Sequence, residues 1–180
     1  MKAYAEHLQN ADLPYYAIEI DEDARERMKA AAKNRGWSNV QVFESLDDFL
    51  TQYSNERVNV LCTEVLEHNE LNAATSLIKT VTDKLNYNSF IITVPNAEFN
   101  QFYGMETEFR HLDHKWEMSE PEFISTVEKL NLNAKTLEFI GVGDKVNDIA
   151  VSNGLVIKSE TFVQGKLIPP PPPQPTRQKR

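Results

Sequence analysis

A single cysteine, Cys62, in 180 residues excludes a disulfide framework. No apolar run approaches the roughly 20 residues that cross a bilayer, so no transmembrane segment is expected. The opening MKAYAEHLQNADLP also lacks the basic-then-apolar order of a secretory signal. These absences point to a reducing, cytoplasmic setting and no membrane partner. Basic residues are in deficit, 19 Lys and Arg against 27 Asp and Glu, for a formal net charge of −8. That excludes a general electrostatic pull on nucleic acid and leaves room only for a local, end-binding site assisted by metal or a few cations. Glycine is scarce at six residues, and the Gly141/Gly143 pair falls at a strand end and turn rather than before a helix. It is therefore turn chemistry and not a phosphate loop.

What is present centres on RVNVLCTEVLEHN, residues 57–69. Val58, Val60 and Leu61 predict a short strand buried on both faces in an α/β sheet. Glu64, Glu67 and His68 follow at once. If the chain turns into a helix there, offsets of three and four put all three on one face. They would stand at the carboxyl end of the strand, where open α/β sheets bind ligands. Two carboxylates and an imidazole aimed at one point call for a cation, with Mg²⁺ or Mn²⁺ suited to the oxygen-rich mix and Fe²⁺, Co²⁺ and Zn²⁺ left open by the imidazole. The plainer alternative is a solvated helix start whose glutamates complement the helix dipole.

Along the chain, residues 2–11 predict a short helix ended by Pro14. Tyr15 to Ile20 predict a strand running into acid, and Asp23 to Arg35 a helix stopped by Gly36. Glu19 falls where nucleoside-binding α/β folds place a ribose-binding carboxylate; capping and solvation of the next helix is the alternative. A strand at Val40 to Glu44 and a helix at Leu46 to Tyr53 lead into the central strand, and this alternation argues for a mainly parallel sheet. Leu71 to Leu85 carries a helical apolar stripe, followed by the strand Ser89 to Val94. Residues 95–123 form a long, polar, aromatic stretch containing His111 and His114, of a length usually functional or disordered. Ser119 and Glu122 make a capping box for the helix that follows. Leu137 to Val142 and Ile149 to Lys158 predict an antiparallel pair at the sheet edge. One domain over residues 1–160 is expected. The proline-rich basic tail, residues 161–180, is expected to be disordered or extended.

With these motifs in view, the chain resembles the HUA ENHANCER family of small-RNA 2′-O-methyltransferases, which methylate the ribose at the RNA 3′ end. The resemblance rests on TEVLEH (Thr63 to His68), TVPNAEFN (Thr93 to Asn100) and FRHLDHKWEMSEPEF (Phe109 to Phe123). It implies a Rossmann-like class I methyltransferase sheet, mostly parallel with an antiparallel C-terminal hairpin, and S-adenosylmethionine as methyl donor. It also implies one divalent metal, Mg²⁺ or Mn²⁺, held by Glu64, Glu67, His68 and His114. Such an ion chelates the vicinal hydroxyls of a terminal ribose and acidifies the 2′ hydroxyl. By family position Glu19 holds the cofactor ribose, with Ser45 and Leu46 beside the adenine. His111 is a candidate proton acceptor, and Arg110 and Lys115 are candidates for the terminal phosphate of the RNA.

The chain departs from that family at its start. The family opens with a strand and a glycine-rich loop, whereas the first glycine here is Gly36. The sheet is thus expected to be incomplete, with the missing strand in its middle, between the strands beginning at Tyr15 and Val58. Another chain is one expected source of that strand and loop. Trp116, Met118 and Glu120 stand where the family tends to have phenylalanine, tryptophan and arginine. Two other readings stay open: a degenerate or partner-dependent binding module without activity of its own, and an inverted zinc peptidase. The peptidase is suggested because ExxEH is one substitution from HxxEH.

Overall fold

The computed structural model describes residues 13–104, 108–145 and 152–160, with side chains described as far as Gly141. The predicted helix at residues 2–11, the start of the last predicted strand at Ile149 and the tail 161–180 lie outside the described residues.

Strand and helix alternate from the start. Strand β1 (Tyr15–Ile18) leads to helix α1 (Glu22–Asn34), whose N-cap Asp21 accepts from Ala24 N at 2.6 Å. β2 (Val40–Phe43) then pairs parallel to β1, from Tyr15 opposite Val40 to Ile18 opposite Phe43. Arg25 ties the ends of both strands. Its guanidinium donates to the carbonyls of Glu19 and Ile20 and lies 3.5 Å from the Glu44 carboxylate. Helix α2 (Leu46–Tyr53) starts where Ser45 caps it, Oγ accepting from Asp48 N at 3.1 Å.

A second sheet holds the rest. β3 (Val58–Thr63) pairs parallel to β4 (Tyr87–Pro95) after the crossover helix α3 (Leu71–Lys84). Beyond helix α4 (Glu120–Glu128), β5 (Thr136–Lys145) and β6 (Ser152–Glu160) form an antiparallel pair, and β6 adds antiparallel to β4. The order is β3-β4-β6-β5, with β1-β2 a separate ladder. This is the predicted α/β architecture with an antiparallel C-terminal hairpin. Among the described residues no strand pairs with both β1 and β3, so the break in backbone pairing falls where the sequence predicts a missing strand.

One core nevertheless runs under both ladders. Tyr16, Phe43, Phe49 and Tyr53 interlock, with Tyr16 centroids 5.0 Å from Phe49 and 4.8 Å from Tyr53. They share a cluster with Ile78, Val81, Tyr87, Phe90, Ile92, Phe123 and Val127. The predicted stripe of α3 is core, since Ala74, Ile78 and Val81 are buried. Fully burying a side chain such as Ile92 contributes about 1.5–3 kcal/mol. Two expectations are corrected. β3 is not covered on both faces: its burial alternates and Leu61 is 53% exposed, because this strand ends its ladder and packs on one side only. The acidic segment after β3 is not an α-helix but a single 3₁₀ turn, Leu66–His68.

Candidate metal and ribose site

The site begins with a backbone reversal. Glu64, next after β3, has φ of 51°, a left-handed conformation that costs a non-glycine residue about 1–3 kcal/mol and clusters at functional sites. Thr93 of β4 holds it there. Glu64 N donates to Thr93 O and to Thr93 Oγ1, each at 3.2 Å, and Thr93 Oγ1 donates to Glu64 Oε1 at 2.8 Å. The reversal turns Leu66 and Glu67 inward while Glu64 and His68 stay exposed. The ExxEH residues therefore share no helical face, which removes the arrangement an inverted zinc peptidase requires.

Glu67 is completely buried, and among the described residues neither carboxylate oxygen has a hydrogen-bond partner. Burial pushes its carboxyl above the usual range; its own backbone N–H, too poorly aligned to count as a hydrogen bond, and His114 oppose the rise, while the Glu64 and Glu117 carboxylates add to it. A buried carboxylate with nothing to pair it is costly unless a cation or proton supplies the missing charge.

The second half arrives from the stretch after β4. A 3₁₀ helix, Ala97–Tyr103, ends at Gly104 in the left-handed conformation, and Asn96 makes a parallel bridge to Met118. Lys115 N donates to Glu67 O at 2.8 Å, and Trp116 Nε1 donates to Asn69 O at 3.0 Å. These bonds lay residues 111–118 over the 3₁₀ turn. Three imidazoles consequently meet: His68 lies 4.7 Å from His114 and 5.7 Å from His111, centroid to centroid. One ring nitrogen from each falls within 4.8 Å of the others. The described parts of the long polar stretch, residues 95–104 and 108–123, thus form an arm of the site.

The structure brings His68, His111 and His114 together; the expected ligands Glu64 and Glu67 are not in that 4.8 Å cluster, and Glu67 is coupled electrostatically to Glu64 and His114. Three imidazoles converging beside a buried carboxylate that is coupled to His114 are a donor set that fits a divalent cation. His111 is exposed, and its Nδ1 accepts from Asp113 N at 3.2 Å. Lys115 is exposed. Arg110 is not a solvated charge. Its Nε donates to Asn100 Oδ1 at 2.6 Å, its Nη2 donates to the Asn96 carbonyl, and it lies over the rings of Phe99 and Tyr103. Burial lowers its pKa from the usual arginine value.

On the other ladder, Glu19 is half-buried just past β1, with Oε1 accepting from Asp21 N at 3.0 Å. The Ser45 hydroxyl is committed to Asp48, and Leu46 packs against the core. Sequence reasoning missed Asn96, Asn100 and Glu117. The signal available for Glu117 was a carboxylate three residues after His114.

Comparisons with known proteins bear on this geometry. No protein-family model matches the chain. A small RNA 2′-O-methyltransferase of Caenorhabditis elegans is 40% identical over 74 residues, 41% of this chain and 17% of that protein. The protein of the same description in Xenopus tropicalis is 32% identical over 118 residues, 60% of this chain and 32% of its own length. The chain resembles the small RNA 2′-O-methyltransferases. It spans a third or less of the length of these two methyltransferase relatives. The crystal structure of the small RNA methyltransferase HEN1 superposes with a TM-score of 0.68 at 22% identity, over 84% of this chain and 21% of that one. The chain therefore has the Rossmann-like methyltransferase fold.

Proposed function

We propose that this chain carries the catalytic site of a metal-dependent, S-adenosylmethionine-dependent RNA 2′-O-methyltransferase acting on the 3′-terminal ribose of small RNA. The observation that carries this reading is the cluster of His68, His111 and His114, with His68 next in chain to Glu67, whose buried carboxylate lacks a hydrogen-bond partner among the described residues. Glu64, Glu67, His68 and His114 would hold the ion. A divalent cation bound there supplies a Lewis acid that grips a vicinal diol and lowers the pKa of its 2′ hydroxyl. The third imidazole nearby favours Mn²⁺ over Mg²⁺, because magnesium takes oxygen ligands. His111 would receive the hydroxyl proton as the 2′ oxygen takes the methyl group, which requires it to release its 3.2 Å contact with Asp113 N. Lys115, exposed beside the cluster, would meet the terminal phosphate. Arg110 would act on RNA through the loop it organises, since its Nε and Nη2 donate within the chain.

For the methyl donor, Glu19 at the end of β1 would bind the cofactor ribose, with Ser45 and Leu46 beside the adenine. The described residues include no glycine loop to cradle the methionine end. The break between the β1-β2 ladder and β3 supports a second element of the proposal. A strand from outside the described residues, with a partner chain as one source, completes the sheet and this half of the site. A binding module that depends on such a partner for activity is the reading this break favours next.

The test is transfer of labelled methyl from S-adenosylmethionine to short RNA with Mn²⁺, with and without candidate partner proteins. RNA with a free terminal diol should be labelled, and the same RNA oxidised at its 3′ end by periodate should not. Equal labelling of both would overturn the site assignment, and no labelling with any partner would favour the inactive module.

A further inference from the structure

The network behind His114 is built more completely than its exposed surroundings. Glu117 has a fully buried side chain, and His114 keeps only 7% of its side chain exposed. The Glu117 carboxylate collects three donors from three places. Oε1 lies 2.5 Å from His114 Nδ1 and accepts from Arg110 N at 2.7 Å, while Oε2 accepts from Asn100 Nδ2 at 2.6 Å. A carboxylate only accepts, so the proton in the His114 contact belongs to Nδ1. In the neutral ring the other nitrogen, Nε2, is then left bare. Asn100 in turn accepts from Arg110 Nε, so the loop and the carboxylate lock one another.

We propose that Glu117 is a positioning residue, fixing the tautomer and orientation of His114 so that Nε2 presents its lone pair to the point shared with His68. This rests on the reading of His114 as a metal ligand, and it adds the group that readies that ligand before any ion arrives. A charge-assisted bond to a buried carboxylate holds a ring more firmly than a neutral acceptor does. Glu117 would act on the site through the imidazole of His114.

The experiment uses the full chain, metal-free and then titrated with Mn²⁺. Nitrogen-15 NMR at alkaline pH reads the His114 tautomer. Wild type and Glu117→Gln, which keeps an acceptor opposite Nδ1, should show the proton on Nδ1. Glu117→Ala should shift His114 toward the Nε2-protonated form. Mn²⁺ affinity should fall by about 10–100-fold in Glu117→Ala and by less in Glu117→Gln. An unchanged tautomer and unchanged affinity in Glu117→Ala would overturn the proposal. If that variant does not fold, wild-type protein whose neutral His114 carries its proton on Nε2 overturns it as well. A wild-type chain that binds no Mn²⁺ yet shows the expected tautomers would instead sink the metal reading.

Discussion

The backbone N–H of Lys115 donates to the backbone carbonyl of Glu67 at 2.8 Å, fastening the histidine-bearing stretch directly onto the acidic turn. This bond involves no side chain, so the register between the two motifs is set by the backbone. It leaves the side chains of Glu67, His68 and His114 for the site.

Glu67→Gln removes a charge that is buried with no partner. In metal-free protein the variant should melt at or above the wild-type temperature, because an uncompensated buried carboxylate destabilises the fold. Adding Mn²⁺ should reverse the ranking, raising the wild-type melting temperature and leaving the variant unmoved. Thermal scans with and without the ion check both halves.

Arg110→Lys should fail as a conservative replacement. The planar guanidinium serves Asn100 and Asn96 together while lying over Phe99 and Tyr103, and an ammonium cannot reproduce that fork. A loss of about 1–3 kcal/mol is expected from the unsatisfied partners. Chemical denaturation measures it, and limited proteolysis should show faster cleavage near residues 108–117.

Ser119 and Glu122 give a pH dependence. The Ser119 backbone N–H and hydroxyl, at 2.9 and 2.8 Å, hold the Glu122 carboxyl below its usual range. A lowered folded value means stability that is present above the ordinary carboxylate range and lost as pH falls through the folded one. The melting-temperature gap between wild type and Glu122→Gln should therefore be visible at neutral pH and close under acid. It should be small, since the pair is exposed. Ser119→Ala should cost about 1 kcal/mol at neutral pH.

Much of this architecture is legible in the residues. The helix over Leu46 to Tyr53 forms where the sequence predicts it, and the spacing of Ala74, Ile78 and Val81 announces the buried face of α3. Ser119 with Glu122 marks the start of α4. What escapes is set by long-range geometry. Nothing in the identity of Glu64 signals a left-handed backbone, because Thr93 on a different strand imposes it. An α-helical face was therefore expected where a 3₁₀ turn forms. Arg110 reads as a surface charge until Asn96 and Asn100 fold beneath it, and Leu61 reads as core until β3 turns out to end its ladder. The break between β1 and β3 was readable, from the absence of any glycine before Gly36.

The central claim is that the acidic turn and the histidine arm grip one ion, and Mn²⁺ titration followed by electron paramagnetic resonance tests it most directly. Wild type should take up a single Mn²⁺ per chain, with imidazole nitrogen couplings in the spectrum. Glu67→Gln, His68→Ala and His114→Ala should each lose most of that binding while keeping the fold. Equal Mn²⁺ uptake by all four proteins, with no nitrogen coupling, would contradict it.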